Sequence, residues 1–207
     1  MKQAKELKKI AANFFKKGDL DSAIVNLNLA KKYTPKDAEI YRDLAVIFSK
    51  KGQSDFALRN YKKVVELDPK NFKVYANMGD LYTQKKRFKE ALLYLNKSLA
   101  IDPNYVVIHY YIGNYRLKVG DYDLAIASYK KAKALGSKSS RIYYGMGMAY
   151  KYKGEFGLSQ NCLSKALELN PKDAKTRSAL EKVQGTKQTH RNQHLQHSMY
   201  YQKNSIQ

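Results

Sequence analysis

Three imidazoles near the end of the chain, His190, His194 and His197, are spaced so that an induced helix would present all three on one side to a transition metal. The same spacing is common in polar low-complexity tracts, and that is the reading the sequence favours. The remaining side chains with chemical reach stand alone. Cys162 is the single cysteine, which excludes an intramolecular disulfide framework and any site built from several thiolates. Its place in a helical pattern suits a small core residue better than a nucleophile. His109 has no acid or nucleophile recurring beside it, so it is expected to pack where an aromatic would rather than to catalyse. There is no Gly-rich phosphate loop and no Ser-His-Asp grouping that order alone could support. Binding rather than catalysis is the expectation: no enzyme, no catalytic residue, no metal and no cofactor.

The elements that would position a binding surface are set by prolines. Pro35, Pro69 and Pro103 are 34 residues apart, two further steps of 34 reach Ser137 and then Pro171, and those four prolines are all the chain holds. Proline lacks an amide hydrogen and disfavours helix in the residue before it, so each marks a boundary between helices. A fixed period of this size signals a repeat array. Five units follow, 4–37, 38–71, 72–105, 106–139 and 140–173, each divided into two helical patterns. The break inside a unit carries Gly18, Gly52, Gly120 or Gly154, with Lys86 as the exception; glycine tolerates the left-handed conformation that ends a helix. Asp19, Ser54 and Asp121 are expected to cap the second helices. Small residues recur where two helices of a hairpin would cross, as in Ala11/Ala23, Ala45/Ala57, Gly79/Ala91, Gly113/Ala125 and Gly147/Ser159, with larger ones filling the space around them. Beyond Pro171, Ala174, Ala179, Leu180 and Val183 give one more amphipathic helix that seals the array and closes a domain over 1–184. From Gly185 the periodicity stops, and 185–207 reads as a flexible polar tail.

Unit two runs Tyr41, Leu44-Ala45, Phe48, Ala57, Tyr61, Val64, Pro69, and unit three Tyr75, Met78-Gly79, Tyr82, Ala91, Leu95, Ser98, Pro103. These series resemble the tetratricopeptide repeat, over about the first 173 residues. Unit four departs from it, with His109 for the first aromatic, Arg116 for a tyrosine and Ser137 for proline, and local looseness is expected there. The resemblance implies an all-α, right-handed superhelical solenoid of antiparallel helix hairpins. It also implies that the first helix of each unit lines a concave groove for a peptide or a partner helix. The groove positions carried over include Lys8, Ala12 and Phe15 in unit one, Glu39, Arg42 and Val46 in unit two, and Lys73, Ala76 and Thr83 in unit three. Tyr110, Asn114 and Lys118 follow in unit four, and Arg141, Tyr144, Met148 and Tyr152 in unit five. The tyrosines, the amide and the methionine suit a wall that grips a peptide, although repeat cores use aromatics freely as well. The carboxylate clamp of some members fits poorly: at its five positions stand Lys8, Ala12, Asp43, Lys73 and Asn77, and only the lysines match.

Charge bounds the partner. Lys+Arg number 39 against 18 Asp+Glu, a formal +21, which favours anionic partners. An adaptor or scaffold for an acidic protein or peptide segment is the first reading. The second uses Lys62, Lys63, Lys97, Lys130, Lys131 and Lys165, equivalent positions on successive second helices, as a convex ladder for nucleic acid or an anionic membrane. A solvated surface accounts for the same lysines. Lysines interrupt every apolar run near the N-terminus and no segment has the length of a membrane span, so a cytoplasmic location is expected.

Overall fold

The computed structural model describes residues 2–186, and two compact units, Met1–Tyr105 and Val106–Gln207, divide the chain. In the first unit α1 (Lys2–Lys17) turns back into α2 (Leu20–Tyr33), α3 (Ala38–Lys50) into α4 (Ser54–Leu67) and α5 (Phe72–Gln84) into α6 (Phe88–Ile101). In the second, α7 (Val106–Val119) pairs with α8 (Tyr122–Ala134) and α9 (Ser140–Tyr152) with α10 (Phe156–Leu169), before α11 at 174–186. The described residues contain no strand, and the fold is the expected all-α repeat of helix hairpins. α11 continues through Gly185 and Thr186, two residues into the expected tail, where the Thr186 hydroxyl donates to the Lys182 carbonyl at 2.9 Å. The rest of that tail, with its three histidines, lies outside the described residues.

Each hairpin turn needs one residue in the left-handed region. Gly52 takes it at φ 73°, whereas Lys86 takes it at 59° between α5 and α6 without the freedom that glycine has. Capping is less uniform than expected. Asp19 accepts from the Ser22 amide at 3.0 Å. Ser54, however, is already the first helical residue, behind Gln53, and Asp121 occupies its cap position without a side-chain bond.

The core is made where a small residue on one helix admits a large one from its neighbour. Leu27, Tyr61, Leu95, Tyr129 and Leu163 are equivalent positions, and all are buried. A Cβ on Gly79 would lie 2.6 Å from Leu95 Cγ, and one on Gly147 2.8 Å from Leu163 Cγ. The Ser159 hydroxyl donates to the Gly147 carbonyl at 2.8 Å, a bond that requires the same close approach. In α8 the plug is Tyr129, fully buried against Gly113 of α7 and Gly145 of α9, with its hydroxyl donating to Asn114 Oδ1 at 2.9 Å. The departures in unit four are bonded rather than loose. Arg116 donates to the Leu124 carbonyl at 3.1 Å and to Ser128 Oγ at 2.9 Å, so a guanidinium ties α7 to α8. Ser137, having the amide that proline lacks, donates to the Ala132 carbonyl at 3.2 Å. Ion pairs between neighbouring hairpins recur 30 residues apart, Lys51 with Asp21, Lys85 with Asp55 at 2.8 Å and Lys153 with Asp123 at 2.6 Å.

Lys86→Gly should raise stability by about 0.5–1 kcal/mol, because it removes a left-handed non-glycine residue; chemical denaturation measures it. Gly145→Ala should cost about 1–3 kcal/mol, since its Cβ would lie 2.5 Å from the enclosed Tyr129 ring. The control is Gly157→Ala in α10, where the Cβ meets nothing within 4 Å. That change should instead gain up to about 1 kcal/mol of helix propensity.

Candidate functional site

Between α1 and α3 the first unit opens a cleft of about 190 Å³. The chain leaves space there because Ala12 and Val46, one repeat apart, are small at positions where a longer side chain would fill it. Core residues Ala11, Leu27 and Ile47 form the floor, Ala12, Phe15 and Val46 the walls, and Lys8 and Asp43 the polar ends. Lys8, Ala12, Phe15 and Val46 are groove positions of the first two units.

The charges at this cleft are committed to one another. Lys8 Nζ donates to Asp37 Oδ2 at 3.0 Å and also to Glu39. Asp37 in turn caps α3 by accepting from the Glu39 amide at 3.0 Å. Arg42 donates to Glu39 Oε1 at 3.1 Å and to Asp43 Oδ1 at 3.0 Å. The hydrogen bond from Lys8 holds the Glu39 carboxyl below its ordinary value, despite partial burial. Burial pushes the Asp43 carboxyl up, against the pull of Arg42. Two cations thus face three carboxylates, a local net charge of −1 in a chain of +21. The expectation that Lys8 and Arg42 offer free positive charge is corrected by these acidic partners. Repeat position places Glu39 on the same groove and Asp43 at a clamp position, but it shows neither Asp37, the α3 cap, nor the pairings themselves. The signal that could have found them was acid clustered at a helix N-terminus.

The other named positions divide. Lys73 is exposed, with its ammonium 5.7 Å from the Phe72 ring centroid. Ala76 and Thr83 are buried and do not line a groove; the Thr83 hydroxyl is bonded inward to the Gly79 carbonyl at 2.9 Å. At the clamp position, the Asn77 side chain is hydrogen-bonded to the buried Tyr61 hydroxyl. In the second unit Tyr110 packs beside Tyr129, whose hydroxyl Asn114 accepts. Tyr144 and Met148 pack against the Leu163, Ala179 and Val183 cluster, and Lys175 of α11 lies 4.9 Å from the Tyr144 ring. These four are therefore half-buried and partly engaged in packing. Tyr152 stays 54% exposed and stacks on Tyr122 at 5.5 Å, while Lys118 and Arg141 are exposed.

On the second helices, Lys63 pairs with Glu66 at 2.6 Å and Lys165 with Glu168 at 2.5 Å, while Lys97 rests over the Tyr75 and Tyr94 rings. Lys62, Lys130 and Lys131 are exposed. Cys162 is half-buried, and burial pushes its thiol up, away from the thiolate a nucleophile needs. Among the described residues no His, Cys, Asp and Glu cluster could hold a metal, and no helix is long and apolar enough to cross a membrane.

Family models of the tetratricopeptide repeat match residues 72–105 and 140–173, and a further TPR model matches 13–52 and 47–85. No curated protein matches the chain. Among solved structures, TTC0263, a thermophilic TPR protein in Thermus thermophilus, is 25% identical with a TM-score of 0.74, over 87% of this chain and 98% of its own. MamA is 26% identical with a TM-score of 0.63, over 84% of this chain and 94% of its own. At 20% identity, pilF of Pseudomonas aeruginosa shares the fold, with a TM-score of 0.72 over 97% of this chain and 92% of its own.

Burial pushes the Tyr61 phenol from 10.0 up to about 12. A raised value in the folded state means its contribution is fully present below pH 10 and is lost as pH rises through about 12. Denaturation of the wild-type chain should therefore lose on the order of 2 kcal/mol more across that interval than Tyr61→Phe does.

Proposed function

The chain belongs to the tetratricopeptide repeat family, whose repeats generally bind protein partners, and we propose that it is a non-enzymatic adaptor for a peptide or protein segment. The observation that carries this reading is the α1/α3 cleft, an open recess with apolar walls and polar ends on the first-helix surface of the first unit. A recess of this kind takes one side chain of an extended segment and orients it by few polar contacts. The excess of +21 draws an acidic segment and speeds its encounter. Exposed Lys5, Lys16 and Lys50 around the cleft, rather than Lys8 and Arg42, are the cations that meet its acidic groups. Lys73 in the first unit, and Lys118, Arg141 and Tyr152 in the second, are further exposed contacts for the partner.

The test is capture from native lysate by the full chain, beside an Ala12→Leu/Val46→Phe variant that fills the cleft and a Lys62→Glu/Lys130→Glu/Lys131→Glu variant. A protein partner whose affinity falls at least about tenfold, roughly 1.4 kcal/mol, with the filled cleft alone is the expected result. Loss of nucleic acid or anionic vesicles with the lysine variant and with salt, and no effect of the filled cleft, would move the function to the second helices.

A further inference from the structure

The cleft carries a polar group that no partner among the described residues uses in full. Asp43 accepts from Arg42 through Oδ1 alone, and among the described residues Oδ2 accepts from no side chain. Lys8, the only cation lining the cleft among the described residues, is already bonded to Asp37 and Glu39. A carboxylate of the partner placed at the Asp43 end would meet that like charge at close range and lose its water, with Lys8 and Arg42 already paired. A guanidinium or ammonium gains a charge-assisted hydrogen bond to a partly desolvated carboxylate, and its methylene stem suits the apolar walls. The wall already shows this compatibility from outside: Lys50 Nζ lies 4.7 Å from the Phe15 ring centroid, leaving that lysine tethered to the rim.

We infer that the cleft selects a basic side chain, arginine or lysine, with its stem against Phe15 and Val46 and its head on Asp43 Oδ2. This rests on the reading of the cleft as a peptide site. It makes the partner an otherwise acidic segment interrupted by one basic residue that sets its register. The long-range field draws the segment in, while Asp43 chooses the residue that enters.

A random peptide display library panned on the full chain tests it, followed by affinities of the enriched peptides for wild type, Asp43→Asn and Ala12→Leu/Val46→Phe. The expected result is a basic residue at one fixed position, with affinity lowered about tenfold to a hundredfold by Asp43→Asn and by replacing that residue with citrulline or norleucine. Peptides lost on the filled cleft but lacking a fixed basic residue, or indifferent to Asp43→Asn, overturn the selectivity and leave the peptide site standing. Peptides indifferent to the filled cleft, or no enrichment at all, overturn both. Among the described residues Asp43 bonds only its neighbour Arg42, so Asp43→Asn should keep the wild-type melting profile; an unfolded variant would instead make Asp43 structural, with the citrulline comparison on wild type still deciding.

Discussion

Everything in this molecule depends on how closely two helices can lie. A hairpin of thirteen- or fourteen-residue helices buries too little by itself, so each must press its neighbour closely enough to share a core. That approach is set by one recurring pairing: a small residue on a first helix, and a bulky one at the position of Leu27, Tyr61, Leu95, Tyr129 and Leu163 on the second. Where glycine stands, the gap would not admit even a methyl group. Propensity lost in the helix is exchanged for contact across it.

Tyr129 shows what happens when the bulky member changes. A phenol is longer than leucine, and at Tyr129 it lies against glycine on both flanking first helices, Gly113 and Gly145. It also takes an acceptor for its hydroxyl, which Asn114 supplies. Asn114 therefore serves the core before it serves any partner. The surface available for binding is what remains after packing, and in the second unit Tyr110 and Tyr144 give part of theirs to the core.

The fold was legible because its determinants are local and periodic: prolines at a fixed step, glycine or Lys86 at the turns, small residues in phase. The site was less so, for physical reasons. Repeat position shows which helix face a residue occupies, so Lys8, Ala12, Phe15 and Val46 were assigned to one surface and do meet at one cleft. It does not show which charges satisfy each other. Lys8 with Asp37 and Glu39 are contacts between elements about 30 residues apart, and they reverse the sign that counting lysines along a groove suggests. Likewise Tyr144 and Met148 stand at groove positions, yet each also packs against the cluster that holds Ala179 and Val183 of α11.

The ion pairs of Lys51 with Asp21, Lys85 with Asp55 and Lys153 with Asp123 have a consequence for how such a chain changes length. Each joins neighbouring hairpins at the same offset, one period less four residues. Excising 38–71 would leave Lys85 at that offset from Asp21, with the charges still opposite. Inserting another copy of 38–71 would likewise present its own lysine and aspartate at the same places. The lock is interchangeable among these hairpins, so gain or loss of a whole unit keeps the electrostatic register that loss of a few residues would destroy.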